Sequence, residues 1–151
     1  MSDISIQNEV LHKEIDLVQA CITRMSNNSF MCKGWFVSLA AVVLALMLDN
    51  EINLLHIGIF LLLETITFWG LDGFFLKMEK LYCWKYKWII IQRPQGNNHK
   101  LYDLDPYSKD MRLNPNEDDH LYKFLFSKTL LPFYGIPIVI SLIILGTQVL
   151  K

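Results

Sequence analysis

The 151-residue sequence lacks the short patterns that usually carry chemistry. It has no CxxC pair, no HExxH, no phosphate-cradling glycine loop and no nucleophile set beside a base, so an enzyme is not expected. Net charge is only −1, so no global basic field directs the chain to a nucleic acid duplex. Its three cysteines, Cys21, Cys32 and Cys83, are odd in number and fall on the side assigned below to the cytoplasm, where reduced thiols are expected. The histidines are scattered. His99 precedes Asp103 and Asp105, and His120 follows Asp118 and Asp119, yet neither spacing specifies a metal geometry. A solvated acidic loop is the expectation there, and no metal or cofactor is assigned. The start of the chain lacks the basic-then-apolar pattern of a cleavable signal peptide, so insertion is expected to begin with a retained apolar segment.

What is abundant is apolar side chain: 52% of residues are hydrophobic, too many for an ordinary soluble domain of this length. The chain is organised around Ile52 to Trp88, whose first two-thirds supply about the 20 apolar residues a bilayer crossing needs. A second apolar run, Gly34 to Leu48 with its lead-in from Ser29, just suffices to cross. Asp49-Asn50-Glu51 separates the two and predicts a tight antiparallel hairpin, with Ser38, Ala40, Ala41 and Ala45 letting the backbones approach. Thr129 to Leu150 is the third span, 22 uncharged residues with Pro132 and Pro137 marking an entry kink or a hinge. Lysines and arginines gather after span two and before span three, and none lies between spans one and two. The N-terminus is therefore expected in the cytoplasm and the C-terminus outside, in the inner (plasma) membrane.

The expected fold is an all-α membrane protein with four parts. Residues 1–28 form an N-terminal amphipathic cytoplasmic helix, with Leu11, Ile15, Val18, Ile22 and Met25 on one stripe. Residues 29–88 form a transmembrane helical hairpin with a cytoplasmic extension; Ser26-Asn27-Asn28-Ser29 offers a break before it, with one continuous bent helix as the alternative. Residues 89–128 are a polar cytoplasmic loop, in which Trp88–Gln92 and Lys100–Leu104 are read as a short β-hairpin across Gly96-Asn97-Asn98. Residues 129–151 are the third transmembrane helix.

Charged residues within this greasy frame are the candidate sites. Glu64 lies roughly 18 Å along the helix from Ile52 at about 1.5 Å per residue, near the bilayer centre. A charge there costs about 2.5–3.5 kcal/mol on insertion scales, so such groups face a bundle interior or a watery cavity. Thr65, Phe68, Asp72, Phe75, Glu79, Tyr82 and Tyr86 recur at steps of three and four, which sets acids and rings on one stripe. Glu64, Thr65, Phe68, Asp72, Phe75 and Glu79 are accordingly the pore or helix-interface candidates, with Lys33, Lys77 and Lys80 as inner-boundary cations. Asp72 is expected to pair with Lys33 or Arg24, and Glu79 with Lys80 or a neighbouring cation. Glu64 has three readings: protonated, hydrogen-bonded to Thr65, Thr67 or Ser38, or lining a hydrated path.

Asn28-Ser29-Phe30 with Lys33-Gly34-Trp35, then Trp69-x-Leu71-Asp72-x-x-Phe75-Leu76-x-x-Glu79-x-x-Tyr82, and finally Ser127-x-Thr129-x-x-Pro132-Phe133-Tyr134 together resemble a group of small bacterial multi-span membrane proteins. The resemblance covers nearly the whole chain, with Phe75 where Tyr is the commoner residue. It implies a membrane effector that breaches or depolarises the membrane in an antiviral context. Two functions are therefore expected in competition. One is a homo-oligomeric effector or channel in which several copies set Glu64 and Asp72 around an axis while the loop senses a nucleotide-like ligand or a cytoplasmic protein. The other is a membrane anchor or scaffold that recruits a cytoplasmic partner. An intramembrane enzyme or transporter has less support, because no second span offers a paired catalytic group and no inverted repeat is visible.

Overall fold

The computed structural model describes the backbone of residues 2–46 and 53–149 and the side chains of residues 8–46 and 53–148. The long apolar runs become helices: α1 spans Ser2–Leu46, α2 Leu54–Gln92, α3 Leu121–Leu125 and α4 Leu130–Val149, with 3-10 turns at Arg93–Gln95 and Lys109–Met111. Asn53 starts α2, its side-chain oxygen accepting the Leu55 N–H at 2.9 Å. Pro94 cannot donate to the helix ladder, and Gly96, at φ +84°, takes the left-handed turn that ends it. Ser127 Oγ accepts the Leu130 N–H at 3.3 Å, and Pro132 follows in the first turn of α4, where a missing N–H does no harm. Pro137 lies inside α4, which runs through it.

Three expectations are corrected here. The predicted β-hairpin is absent: Trp88–Gln92 is the last stretch of α2, Lys100–Leu104 is turn and irregular chain, and no strand occurs among the described residues. The predicted break at Ser26–Ser29 is also absent, since α1 continues through it. Ser29 spends its hydroxyl sideways on Asp72 instead of capping a new helix. The small residues of span one divide differently from expectation, with Ala40 packed against Val43, Ile57 and Leu61 while Ser38, Ala41 and Ala45 are exposed. The Asp49-Asn50-Glu51 connector lies outside the described residues.

The chain forms two compact units, Met1–Asn27 with Leu76–Asp119, and Asn28–Phe75 with His120–Lys151. In the first, Val18, Cys21, Tyr82, Trp88, Ile89 and Met111 form the core, and Leu11, Ile15, Ile22 and Met25 pack against it. The predicted stripe of α1 thus faces its own unit, although that face also carries the fully buried Glu14. In the second, α1 and α2 run antiparallel: Val43 packs with Ile57 and Leu61 at one end, and Phe36 meets Phe68 at 6.0 Å further along. Helix α4 closes against both. Phe36 also contacts Phe133 and Tyr134, with centroids 5.9 and 5.2 Å away, and Leu145 and Ile144 lie over Gly58. A Cβ on Gly73 would overlap the Leu125 side chain, so glycine is what lets α3 approach α2.

The three long helices are each long and apolar enough to cross a membrane. In the second unit Phe30, Trp35, Val42, Leu63, Ile136 and Ile143 are exposed, an outer surface suited to lipid and not to water. The hydroxyls of Ser38, Thr65, Thr67 and Ser141 each donate to the carbonyl four residues back, so these four polar side chains are satisfied within their own helices.

Candidate functional site

Asp72 is the hub of the second unit. Helix α2 carries it wholly into the interior, where Lys33 Nζ of α1 stands 2.6 Å from Oδ2. Ser29, one turn earlier on α1, donates its hydroxyl to Oδ1, and Tyr134 of α4 donates to Oδ2 at 3.1 Å. Lys33 also donates to Ser29 Oγ at 2.8 Å. One carboxylate therefore joins all three long helices, with its charge neutralised by a cation and both oxygens hydrogen-bonded, the condition under which a buried ion pair is tolerated. Lys33 is the expected partner; Arg24 instead approaches Cys21 Sγ at 3.9 Å. Ser29 and Tyr134 were not singled out as ligands of this acid by spacing. The i, i+4 relation of Ser29 and Lys33 was the available signal.

Glu64 is the contrasting case, on the same helix and 7% exposed. Neither of its carboxyl oxygens has a hydrogen-bond partner among the described residues. Thr65, Thr67 and Ser38, the expected partners, all donate to their own helices. An enclosed carboxyl without a partner is an unusual thing to retain, and its burial lies inside its own chain's helices.

The remaining candidates separate by unit. Thr65 is buried and Phe68 half-buried in the second, where Phe75 is also half-buried and sits 5.6 Å from the Phe74 ring. Glu79 is half-buried and Lys80 exposed in the first, and Lys77 lies 5.3 Å over the Tyr107 ring. Pro132 is exposed and Pro137 half-buried on α4.

The first unit holds a buried charge system that the sequence reading missed. Arg93 grips Glu14 through two bonds of 2.7 Å, Nε to Oε2 and Nη2 to Oε1. Its remaining donors take the carbonyls of Asn97, His99 and Lys100, while Glu14 Oε1 accepts the Tyr102 N–H at 3.1 Å. Lys85, buried, donates to the carbonyls of Asp103 and Asp105 at 2.6 and 2.7 Å and lies 3.2 Å from Asp103 Oδ2. Arg112 binds Asp119 at 3.0 Å and lies 5.3 Å over the Trp84 ring. Three cations thus fold the polar segment by collecting carbonyls that no regular ladder satisfies. The one available sign was Glu14 interrupting the apolar stripe beside Ile15.

His99 meets Asp110 at 2.7 Å, and Lys100 meets the same carboxylate at 2.8 Å. Lys100 and then His99 hold the Asp110 carboxyl well below the usual carboxylate range. Burial pushes the Asp103 carboxyl up, but bonds from Ser108, the Asp105 N–H and Lys85 outweigh it and the net direction is down. Among the described residues no group of three or more His, Cys, Asp or Glu side chains could hold a metal ion. No family model, no curated protein and no solved structure matches this chain.

Proposed function

We propose that the chain is a three-span plasma-membrane protein, N-terminus inside and C-terminus outside, whose copies assemble into an effector that permeabilises or depolarises the membrane. The observation that carries this reading is Glu64: a carboxyl enclosed by apolar helices with no hydrogen-bond partner among the described residues. Asp72 is already satisfied by Lys33, Ser29 and Tyr134, so its part is to lock the helices and not to line a path. Three helices cannot enclose a water path alone, so conduction past Glu64 requires several copies and a separation of helices that here are closed. The described arrangement is then the resting form. The antiviral setting is what the resemblance to small bacterial membrane proteins implies.

Reconstitution tests it. The purified chain in liposomes should form particles of more than one copy and release trapped ions, and Glu64→Gln should change that release with assembly intact. A strictly monomeric particle with tight liposomes would sink the proposal. A second reading, a membrane anchor that recruits a cytoplasmic protein, is favoured by the polar segment being folded by Lys85, Arg93 and Arg112 while Leu101, Leu104 and Leu113 stay exposed. Tight liposomes together with a partner recovered through this segment would favour it.

A further inference from the structure

We infer that the cleft between the first turns of α1 and the turn at residues 97–101 is a binding site for a small uncharged molecule carrying a carboxamide-like edge. The inference concerns the first unit alone and stands apart from the effector reading.

Asn8, Val10 and Leu11 of α1 line a cavity of about 280 Å³ together with Pro94, Asn98 and Leu101, and the Glu14–Arg93 pair completes its wall. That volume lies just below the usual range of ligand pockets, about 300–1,000 Å³, so the occupant must be small. The wall has no net charge and no spare donor. Arg93 has five N–H groups, and all are taken: two by Glu14 and one each by the carbonyls of Asn97, His99 and Lys100. A phosphate or carboxylate could be gripped here only by breaking the Glu14 pair, and an ammonium could reach the Glu14 charge only by displacing Arg93. None of the other lining residues is ionisable. An uncharged occupant leaves the pair intact.

What the cleft does offer is two amides among apolar side chains. Neither the Asn8 nor the Asn98 side chain has a partner among the described residues, and each presents one carbonyl acceptor and an NH2 donor. A ligand with an acceptor beside a donor matches them, while Val10, Leu11, Pro94 and Leu101 supply contacts for its apolar body. The turn that closes the cleft is strained. Lys100 and Tyr102 have φ of +47° and +58°, left-handed values uncommon for residues other than glycine, and Leu101 lies between them on the cavity wall. Such backbone persists where its surroundings over-determine it, and it clusters at ligand clamps. A molecule that touches both α1 and Leu101 braces this turn, so residues 97–102 report occupancy.

The full chain in nanodiscs provides the test, with fluorobenzamide, fluorobenzoate and fluorobenzylammonium as probes that carry one ring with no charge, a negative charge and a positive charge. Fluorine NMR line width reads binding, against empty nanodiscs. We expect the protein to broaden the benzamide alone. Asn98→Ala should weaken that binding about fivefold, the loss of one hydrogen bond, and Leu101→Trp, which fills the cavity, should abolish it. Amide exchange at residues 97–102 should slow when the benzamide is present, and exchange at the core residue Ile89 should be unchanged in both variants, which shows that they fold. No broadening of any probe, or benzamide broadening that is the same in Leu101→Trp or in empty nanodiscs, would overturn the site. Benzoate or benzylammonium binding as strong as benzamide would overturn the uncharged class of ligand. Benzamide binding in a protein that leaves liposomes tight would refute the effector reading and leave this site standing, and ion release without binding would do the reverse.

Discussion

Removing either half of the Asp72–Lys33 pair should unfasten three helices at once, and removing both should do less harm than the two losses added together. The Asp72 side chain is fully buried and that of Lys33 is 29% exposed. In Asp72→Leu, the Ser29 and Tyr134 hydroxyls lose their acceptor at about 1 kcal/mol each, and the Lys33 ammonium, able to lean outward, adds a comparable amount, for about 3 kcal/mol in all. In Lys33→Met, the carboxylate keeps its hydroxyls but loses its counter-charge in a dry interior, again about 3 kcal/mol or more. The double variant strands no ion and should cost about 2–3 kcal/mol, well short of the sum of about 6. Reversible unfolding in detergent, followed by tryptophan fluorescence, measures all four proteins. Single losses within about 0.5 kcal/mol of wild type, or a double loss that equals the sum, would refute the reasoning.

Other outcomes follow from the same geometry. Arg93→Lys should loosen residues 97–102, because an ammonium cannot replace a guanidinium that grips Glu14 with two bonds and also holds three carbonyls; amide exchange should rise there and stay unchanged at Thr65. Gly73→Val should destabilise by about 1–3 kcal/mol through collision with Leu125, with Gly70→Ala, which meets open space, as the control. Asp119 is lowered by its bond from Arg112 and Asp103 by the balance described above, so each contributes stability that is complete above the ordinary Asp value of 3.8 and is lost as pH falls through the depressed folded value. Amide protection factors in residues 103–119, exchange rates taken relative to the unstructured peptide at each pH, should accordingly be flat near neutrality and fall only in strong acid. A change in protection between pH 5 and 7, about where histidine titrates, would assign the effect to other groups.

The helices were legible because apolar runs of that length have few other uses, and depth along span two was enough to single out Glu64 and to narrow the partner of Asp72 to Lys33 or Arg24, of which Lys33 is the one in place. The misreadings have local causes. Ile89, Ile90 and Ile91 favour strands by branching, yet Ile89 is fully buried in the core with Val18 and Trp88, and that packing keeps the segment helical. Ser29 looked like a cap because capping and lateral bonding use the same hydroxyl, and only the position of Asp72 decides between them. The Glu14–Arg93 pair joins residues 79 apart, a separation at which spacing carries no information. In the sequence Arg93 and Lys85 are only two of the lysines and arginines that follow span two and set its orientation, since burial by carbonyl capture leaves no periodic trace.

The central proposal is most directly tested by membrane potential in cells, recorded after induction of the wild-type chain and of Glu64→Gln at matched membrane abundance. The proposal predicts collapse of the potential with the wild-type chain and an altered response with the variant. A potential that holds steady in both, with protein present in the membrane, would contradict it.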